Sequence, residues 1–188
     1  MQRTNIERAM DGDIDAYSEL VRASHSRLFG IAHLILRDTD RAQDAVQDAL
    51  LLAWRHMRSL RDPEAWDAWL HRLTVRACYR VARSEHRRTL VELHVAPEEA
   101  SEGAMPDAAL IVAERDWLGR ELGRLHIDQR VVIVLHYYLD LPITEVAEIV
   151  DIPYGTAASR LHRGLESMRA SMRASSPVEP AFATERLT

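Results

Sequence analysis

Apolar residues recur along most of the chain at the three- and four-residue spacings of amphipathic helices, whereas the alternation typical of strands is nearly absent. Asp13 is placed to cap a helix over 14–36, and the Asp38-Thr39-Asp40 run starts a second helix that ends near Met57. Further helices are predicted over 64–88, 109–125 and 127–139. The pattern therefore predicts an all-α fold.

Two short helical patterns meet between Pro142 and Arg163. The first has one apolar face, formed by Ile143, Val146, Ala147 and Val150. A break at 151–154 follows because Pro153 cannot continue a helix, and the second pattern begins near Gly155. A helix-turn-helix has this pattern, and its second helix lies in the DNA major groove. An ordinary αα-hairpin within a helical bundle is the alternative.

Composition divides the chain into two parts. Residues 89–108 carry five acids and no basic residue, together with Pro97, Gly103 and Pro106, which predicts a flexible acidic linker. We therefore expect two small helical domains, at 1–88 and 109–174. The tail at 175–188 is predicted to be disordered.

Bulk composition excludes several classes of protein. Of the 188 residues, 47% are apolar, which is enough for folded cores, but no apolar stretch is long enough to insert into a membrane. The N-terminus lacks the apolar segment of a secretory signal. The single cysteine, Cys78, excludes an internal disulfide, fits a cytoplasmic location and lies in an apolar helical pattern, so it is expected in the core.

The charge distribution favours nucleic acid more than the net charge of −5 does. Residues 72–88 hold six arginines against one acid, and residues 160–173 hold four against one. Two basic patches in a mildly acidic chain indicate contact with a polyanion. All 24 basic residues are arginine, whose planar fork suits phosphate better than the lysine ammonium does.

Three surfaces carry candidate functional residues. On the second helix, acids and an apolar leucine share one face, formed by Asp44, Gln47, Asp48 and Leu51. Such a face suits protein docking, although a solvated face is the simpler interpretation. The third helix carries Arg72, Arg76 and Arg80 at steps of four, which repel one another unless they meet anions such as phosphates. Trp66 and Trp69 open that helix and are expected mainly in the core, with base stacking as the alternative.

The third surface is the predicted recognition helix. Arg160 and Arg163 are expected to meet phosphates, and Thr156, Ala158 and Ser159 to approach base edges or a thymine methyl.

Four segments, in this order, resemble the extracytoplasmic-function class of bacterial sigma factors, the promoter-specificity subunits of RNA polymerase. GDIDAYSELVRASHSRLFGIAHLILRD resembles the family's opening helices, and RAQDAVQDALLLAW its core-polymerase-binding helix, usually close to DAEDLVQETFLRAW. DPEAWDAWLHRLTVRACYRVAR resembles its promoter-melting region. DQRVVIVLHYYLDLPITEVAEIVDIPYGTAASRLHRGLESMR resembles the domain that recognises the −35 element.

The resemblance implies partners and roles. Asp44, Gln47, Asp48 and Leu51 would bind core RNA polymerase. The loop 58–65, with Arg58, Arg61 and Asp62, would capture a flipped base of the −10 element, and Arg72, Arg76 and Arg80 would hold the adjacent DNA. The −35 element would meet Tyr154, Thr156, Ala158, Ser159, Arg160 and Arg163. An anti-sigma factor is the expected regulatory partner.

Two positions depart from the family pattern. Asp151 replaces the usual turn glycine, and because aspartate tolerates the left-handed backbone better than most residues, the turn is expected to survive. Ala158 replaces the cation of the common GTVKSR wording, which removes one possible DNA contact.

Two other functions compete with the sigma factor. A stand-alone helix-turn-helix regulator would need a dimerisation surface, and no coiled-coil heptads are present. A metal-dependent nuclease would draw on the nine histidines, but His71, Cys78 and His86 share a helix face only roughly, and no known metal motif occurs. We expect no catalytic residue, cofactor or metal.

Overall fold

The structure, a computed structural model, describes residues 2–91 and 109–175. All regular secondary structure in these ranges is α-helix or 3-10 helix. This confirms the predicted all-α fold class. The α-helices are α1 (Gln2–Met10), α2 (Ile14–Leu36), α3 (Thr39–His56), α4 (Trp66–Val91), α5 (Ala109–Arg124), α6 (Ile127–Tyr138), α7 (Ile143–Val150) and α8 (Tyr154–Ser175). Two 3-10 turns, Met57–Ser59 and Pro63–Ala65, connect α3 to α4. No helix in the described ranges is long and apolar enough to cross a lipid bilayer.

Side-chain caps define the ends of the first long helices. The Asp13 carboxylate accepts hydrogen bonds from the backbone N–H groups of Asp15 and Ala16, both at 3.0 Å, so α2 begins where the sequence predicts. Asp38 caps α3 in the same way, accepting from the Arg41 N–H at 2.9 Å. These caps satisfy backbone donors that have no partner within the helix.

Helices α2, α3 and α4 form the centre of the N-terminal domain. The buried face of α3 consists largely of alanines, which let the neighbouring helices approach closely: Ala42, Ala45, Ala49 and Ala53. Trp66 is 1% exposed and Cys78 is fully buried, so the core interpretation of both is confirmed. Trp69 is half-buried and packs against Trp66 with a ring-centroid distance of 5.8 Å.

Helix α1 was not predicted. It contributes only two buried side chains, Ile6 and Ala9, so its apolar pattern is too short to stand out in a polar segment. It packs against α2 and against both 3-10 turns, and therefore lies beside the loop that precedes α4.

The C-terminal domain consists of α5 to α8, with α6 packed against α7 and α8. Its core continues into that of the N-terminal domain, because α2 contacts α6 and α4 contacts α7. Nothing in the sequence pattern predicts this packing between the domains.

Two predicted boundaries need correction. Helix α4 begins after a 3-10 turn rather than at Glu64, and it continues through Val91, three residues into the predicted linker at 89–108. The remainder of that linker and the tail after Ser175 lie outside the described residues.

Candidate nucleic-acid and protein interfaces

The turn between α7 and α8 has the geometry of a helix-turn-helix. Asp151 adopts the left-handed conformation, with φ 61° and ψ 52°, and the next residue, Ile152, donates its N–H to the Ala147 carbonyl at 3.0 Å. Backbone bonds of this kind close the end of a helix and normally favour glycine at the left-handed position. Aspartate therefore preserves the turn, as predicted.

Helix α8 turns one face inward and leaves the opposite face accessible. Ala157 is fully buried, whereas Tyr154 is 57% exposed. The Arg163 guanidinium is also exposed and donates from Nη2 to the Ser159 hydroxyl at 3.1 Å and from Nε to the Ser159 carbonyl at 3.2 Å. The remaining candidates on this face are half-buried: Thr156, Ala158, Ser159 and Arg160.

Arg160 departs from its predicted position. We expected a largely outward side chain free to meet phosphates, but only 22% of the side chain is exposed, and Nη2 donates to Asp128 Oδ2 at 3.0 Å. Asp128 lies in the first turn of α6, where a carboxylate also interacts favourably with the helix dipole. An internal carboxylate thus already accepts a hydrogen bond from the guanidinium that the sequence assigned to a DNA phosphate.

The arginine row of α4 is not uniform along its length. Arg76 and Arg80 are exposed, but Arg72 is half-buried and its Nε is enclosed without a hydrogen-bond partner. Arg80 Nη1 lies 3.3 Å from Asp48 Oδ2 of α3. Arg80, assigned by the sequence to the DNA surface, therefore contacts Asp48, assigned to the docking face. The Asp48 carboxylate partly offsets the repulsion expected among the arginines of α4.

The loop before α4 presents its charged residues to solvent beside a buried tryptophan. Arg58, Arg61 and Asp62 are exposed, and the Asp62 carboxylate accepts from the Glu64 N–H at 2.9 Å. Buried Trp66 follows directly. The capping bond of Asp62 thus fixes the start of the second 3-10 turn, next to the exposed charged residues of the loop.

The predicted docking face of α3 is accessible. Its four candidates are all exposed: Asp44, Gln47, Asp48 and Leu51. Leu51 has 52% of its surface in water, which is high for a leucine beside a well-packed core. The structure therefore brings acids and an apolar side chain together on one helical face.

His71 and Cys78, which the sequence offered as possible metal ligands, are both buried. His71 is 5% exposed, and desolvation, followed by the charge of Arg27, lowers its pKa to about 4. Burial raises the pKa of the Cys78 thiol to about 12. Within the described ranges, no cluster of three or more histidine, cysteine or acidic side chains could hold a metal ion.

Asp128 and Tyr79 were not among the functional residues predicted from the sequence. The Tyr79 hydroxyl, on α4, donates to Asp128 Oδ1 at 2.9 Å, so this carboxylate joins the N-terminal domain to the recognition helix. Burial, and then the bond to Asp128, raise the pKa of Tyr79. The only sequence signal was the position of Tyr79 directly before Arg80 in the basic row, since Asp128 is 49 residues away.

Comparison with known proteins places both domains among sigma factors. The family model described as "Sigma-70 region 2" matches residues 20–88, and the one described as "Sigma-70, region 4" matches residues 115–168. The ECF RNA polymerase sigma factor SigM of Mycobacterium tuberculosis is 32% identical over 152 residues, which cover 81% of this chain and 74% of SigM. SigW of Bacillus subtilis is 26% identical over 182 residues, which cover 92% of this chain and 97% of SigW.

Solved structures show the same fold. CnrH, in complex with the cytosolic domain of CnrY, superimposes with a TM-score of 0.68 at 22% identity, covering 93% of this chain and 99% of CnrH. The sigma factor RpoE of Bartonella quintana, in complex with the anti-sigma factor NepR, superimposes with a TM-score of 0.65 at 22% identity. That match covers 85% of this chain and 98% of RpoE.

Proposed function

The chain belongs to the extracytoplasmic-function class of the sigma-70 family and is an RNA polymerase sigma factor, and from this we propose how its surfaces divide the work of initiation. The α3 face binds core polymerase, the loop 58–65 and the α4 arginines hold the −10 element, and α8 recognises the −35 element. The observation that carries the proposal is that accessible candidate residues lie on α3, on α4 with its preceding loop, and on α8, in two domains that match sigma regions 2 and 4. The chain is proposed to contribute specificity rather than a catalytic group.

Exposed, mixed chemistry supports the α3 face as the polymerase site. Asp44 and Asp48 offer carboxylates to a basic partner, while Leu51 supplies apolar area that becomes buried on docking. Charged residues at the rim steer association, and a central apolar side chain adds to affinity.

The accessible face of α8 supports recognition of the −35 duplex. Tyr154 and Arg163 are the two exposed candidates, and Ser159 fixes the guanidinium of Arg163 through two hydrogen bonds. A pre-oriented guanidinium loses less conformational freedom when it meets a phosphate or guanine. Arg160 is proposed to join them once it is released from Asp128.

For the −10 element, the loop and the exposed part of the arginine row act together. Arg58, Arg61 and Asp62 surround the proposed pocket for an unstacked base, whose capture offsets the loss of stacking. Arg76 and Arg80 are accessible to the neighbouring phosphates. We propose that half-buried Arg72 mainly stabilises the part of α4 that carries Arg76 and Arg80.

A regulatory protein partner is part of the proposal. The solved structures of CnrH and of Bartonella RpoE each contain a bound protein, CnrY and the anti-sigma factor NepR respectively. We propose that an anti-sigma factor likewise binds this chain and covers its DNA-contacting surfaces. Because core polymerase transcribes the chromosome, the chain would act in the cytoplasm.

Transcription in a purified system tests the proposal. Core polymerase is incubated with sheared genomic DNA from the source organism, with and without the chain, and the 5′ ends of the transcripts are sequenced. We expect discrete start sites that share upstream sequence and depend on the chain. A stand-alone regulator would instead retain specific duplexes without core, and start sites that do not depend on the chain would contradict the sigma-factor proposal.

A further inference from the structure

Helix α1 lies beside the loop 58–65 but outside the match to sigma region 2, which begins at residue 20. It packs against α2 and against both 3-10 turns of the connection between α3 and α4. These two turns, Met57–Ser59 and Pro63–Ala65, form the two ends of the loop proposed to capture the −10 element. A helix before the matched segment therefore contacts the −10 loop at both of its ends.

Ile6 anchors α1 in the apolar core of the N-terminal domain. It is 3% exposed and belongs to the same apolar cluster as Met57 and Leu60, the buried residues of the connection. Leu60 lies between Arg58 and Arg61, two exposed residues proposed to surround the base pocket. Loss of the Ile6 side chain would therefore loosen the packing on which α1 and the loop both depend.

Polar contacts link α1 to both ends of the loop. Arg3, in the first turn of α1, donates from Nη1 to Glu64 Oε1 at 3.4 Å, and from Nε to Glu7 at 3.0 Å. Beyond the other end of α1, Gly12 has φ 100°, and a Cβ atom there would lie 3.8 Å from Arg58 Nη2. Glycine adopts this backbone conformation without strain, so the chain can turn from α1 into α2 beside Arg58.

The contact between Arg3 and Glu64 contributes little to folding stability. Their side chains are 66% and 72% exposed, and an ion pair this accessible is strongly screened by water. The pair can still restrict where the Glu64 carboxylate lies, because one of its oxygens is bound to α1. Its expected effect is therefore on the conformation of the loop rather than on unfolding.

We propose that α1 is a positioning element of the −10 site and holds the loop 58–65 in the conformation that accepts a single strand of DNA. This inference rests on the proposed function, since it assigns a helix outside the matched region to the same site. Ile6 holds α1 against the connection, and Arg3 holds Glu64 near the end of the loop. A loop held at both ends loses less conformational freedom when it binds, so α1 raises affinity without contacting the base.

Binding of a single strand to the polymerase complex tests the proposal in the full chain. The probe is a fluorescein-labelled non-template strand covering the −10 region of a promoter mapped by sequencing transcript 5′ ends. Ile6→Ala should weaken binding of this strand about tenfold, which is the expected cost of ordering a few loop side chains. Ile6→Val keeps most of the buried side chain and should bind as the parent does. The matched control is Ile133→Ala, the same change at a buried position of α6, and it should also bind normally.

Charge variants separate positioning from a direct contact between Arg3 and DNA. Removal of an acid near DNA ordinarily strengthens binding, whereas positioning predicts that Glu64→Gln weakens it about threefold, the size of an exposed ion pair. Arg3→Gln should weaken binding to the same extent, and the double variant no further, because the two residues act as a pair. The exchanged pair, Arg3→Glu/Glu64→Arg, should restore binding. Arg22→Gln, at an exposed position of α2, controls for the loss of an arginine.

The outcomes distinguish this inference from the proposed function. Every variant should still be retained by core polymerase and should bind the −35 duplex as the parent does. Normal binding of the −10 strand by Ile6→Ala, or equal losses for Ile6→Ala and Ile133→Ala, would overturn the positioning role. A parent complex that binds no −10 strand would instead contradict the assignment of the loop to the −10 element.

The charge variants keep the test decisive if Ile6→Ala does not fold. Thermal unfolding followed by circular dichroism identifies that case, and Arg3 and Glu64 are exposed, so their variants should fold normally. A gain in binding for Glu64→Gln, with effects that add to those of Arg3→Gln, would indicate that Arg3 contacts DNA directly. That result would also overturn the positioning role.

Discussion

The guanidinium of Arg160 lies 3.0 Å from the carboxylate of Asp128, and this pair couples the recognition helix to the rest of the molecule. The same carboxylate accepts the Tyr79 hydroxyl from the other domain. A residue proposed for DNA contact is thus already bonded when DNA is absent. Arg160 should therefore become available to DNA only after its bond to Asp128 is broken.

Removal of one proposed phosphate contact should weaken promoter binding at every sequence to a similar extent. We expect Arg163→Ala to weaken binding of the polymerase complex to promoter DNA about tenfold and to reduce the salt slope of the binding constant by about 1. Fluorescence anisotropy over a series of salt concentrations measures both quantities. Exposed Arg173, near the end of α8, provides the control Arg173→Ala. Equal losses for the two variants would argue against a specific role for Arg163.

Stability should fall on mild acidification because His71 is buried in the neutral form. Its folded pKa of about 4 lies below the ordinary value of 6.5, so the unfolded chain binds the proton first as pH falls. The free energy of unfolding should therefore decrease between pH 7 and pH 5, by about 2 kcal/mol from this residue. His71→Leu should remove that part of the pH dependence in urea titrations.

Buried Thr74, a residue of the same helix that does not titrate, supplies the control for this experiment. Thr74→Val should leave the difference between pH 7 and pH 5 as it is in the parent. If His71→Leu unfolded with the same pH dependence as the parent, burial of a neutral imidazole would not be the cause.

The single thiol should be unreactive in the folded protein. Cys78 is fully buried and its pKa is raised to about 12, so the reactive thiolate is scarce and enclosed. A chromogenic disulfide reagent at pH 8 should detect no thiol in the native chain and one per chain in guanidinium. Ser26→Cys, at an exposed position, should react within the mixing time of a manual assay. Rapid reaction of native Cys78 would show that the core around it opens readily.

The turn of the helix-turn-helix offers a test of backbone strain. Asp151 has φ 61°, where glycine is unstrained and β-branched residues are strongly disfavoured. We expect Asp151→Gly to leave stability unchanged or to increase it slightly, and Asp151→Val to lower it by about 2 kcal/mol. Glu148→Val, at an exposed position in α7, controls for the change of residue type. Equal losses for the two valine variants would exclude a strain effect.

Local sequence rules predicted most of the helices. The caps at Asp13 and Asp38 and the left-handed turn at Asp151 depend on neighbouring residues alone, so the pattern was sufficient. Helix α1 was missed because Ile6 and Ala9 are its only buried side chains. A helix held by so few apolar contacts depends on its packing partners rather than on its own periodicity.

Contacts between distant segments were beyond what the sequence could predict. Periodicity assigned Arg160 to the outer face of its helix, but it carries no information on which helix packs opposite that face. Asp128 is 32 residues from Arg160 and 49 from Tyr79. The junction between the domains and the enclosure of Arg72 both arise from that packing, and only the structure reveals them.

Binding to core RNA polymerase tests the central claim most directly. The purified chain is incubated with immobilised bacterial core enzyme beside two variants of equal charge change, Asp44→Arg/Asp48→Arg on α3 and Glu145→Arg/Glu148→Arg on α7, all at exposed positions. We expect core to retain the parent and the α7 variant, and to lose the α3 variant because two repulsive charges then face the docking site. Failure of core to retain the parent, while the parent still binds duplex DNA specifically, would contradict the proposal and favour a stand-alone regulator.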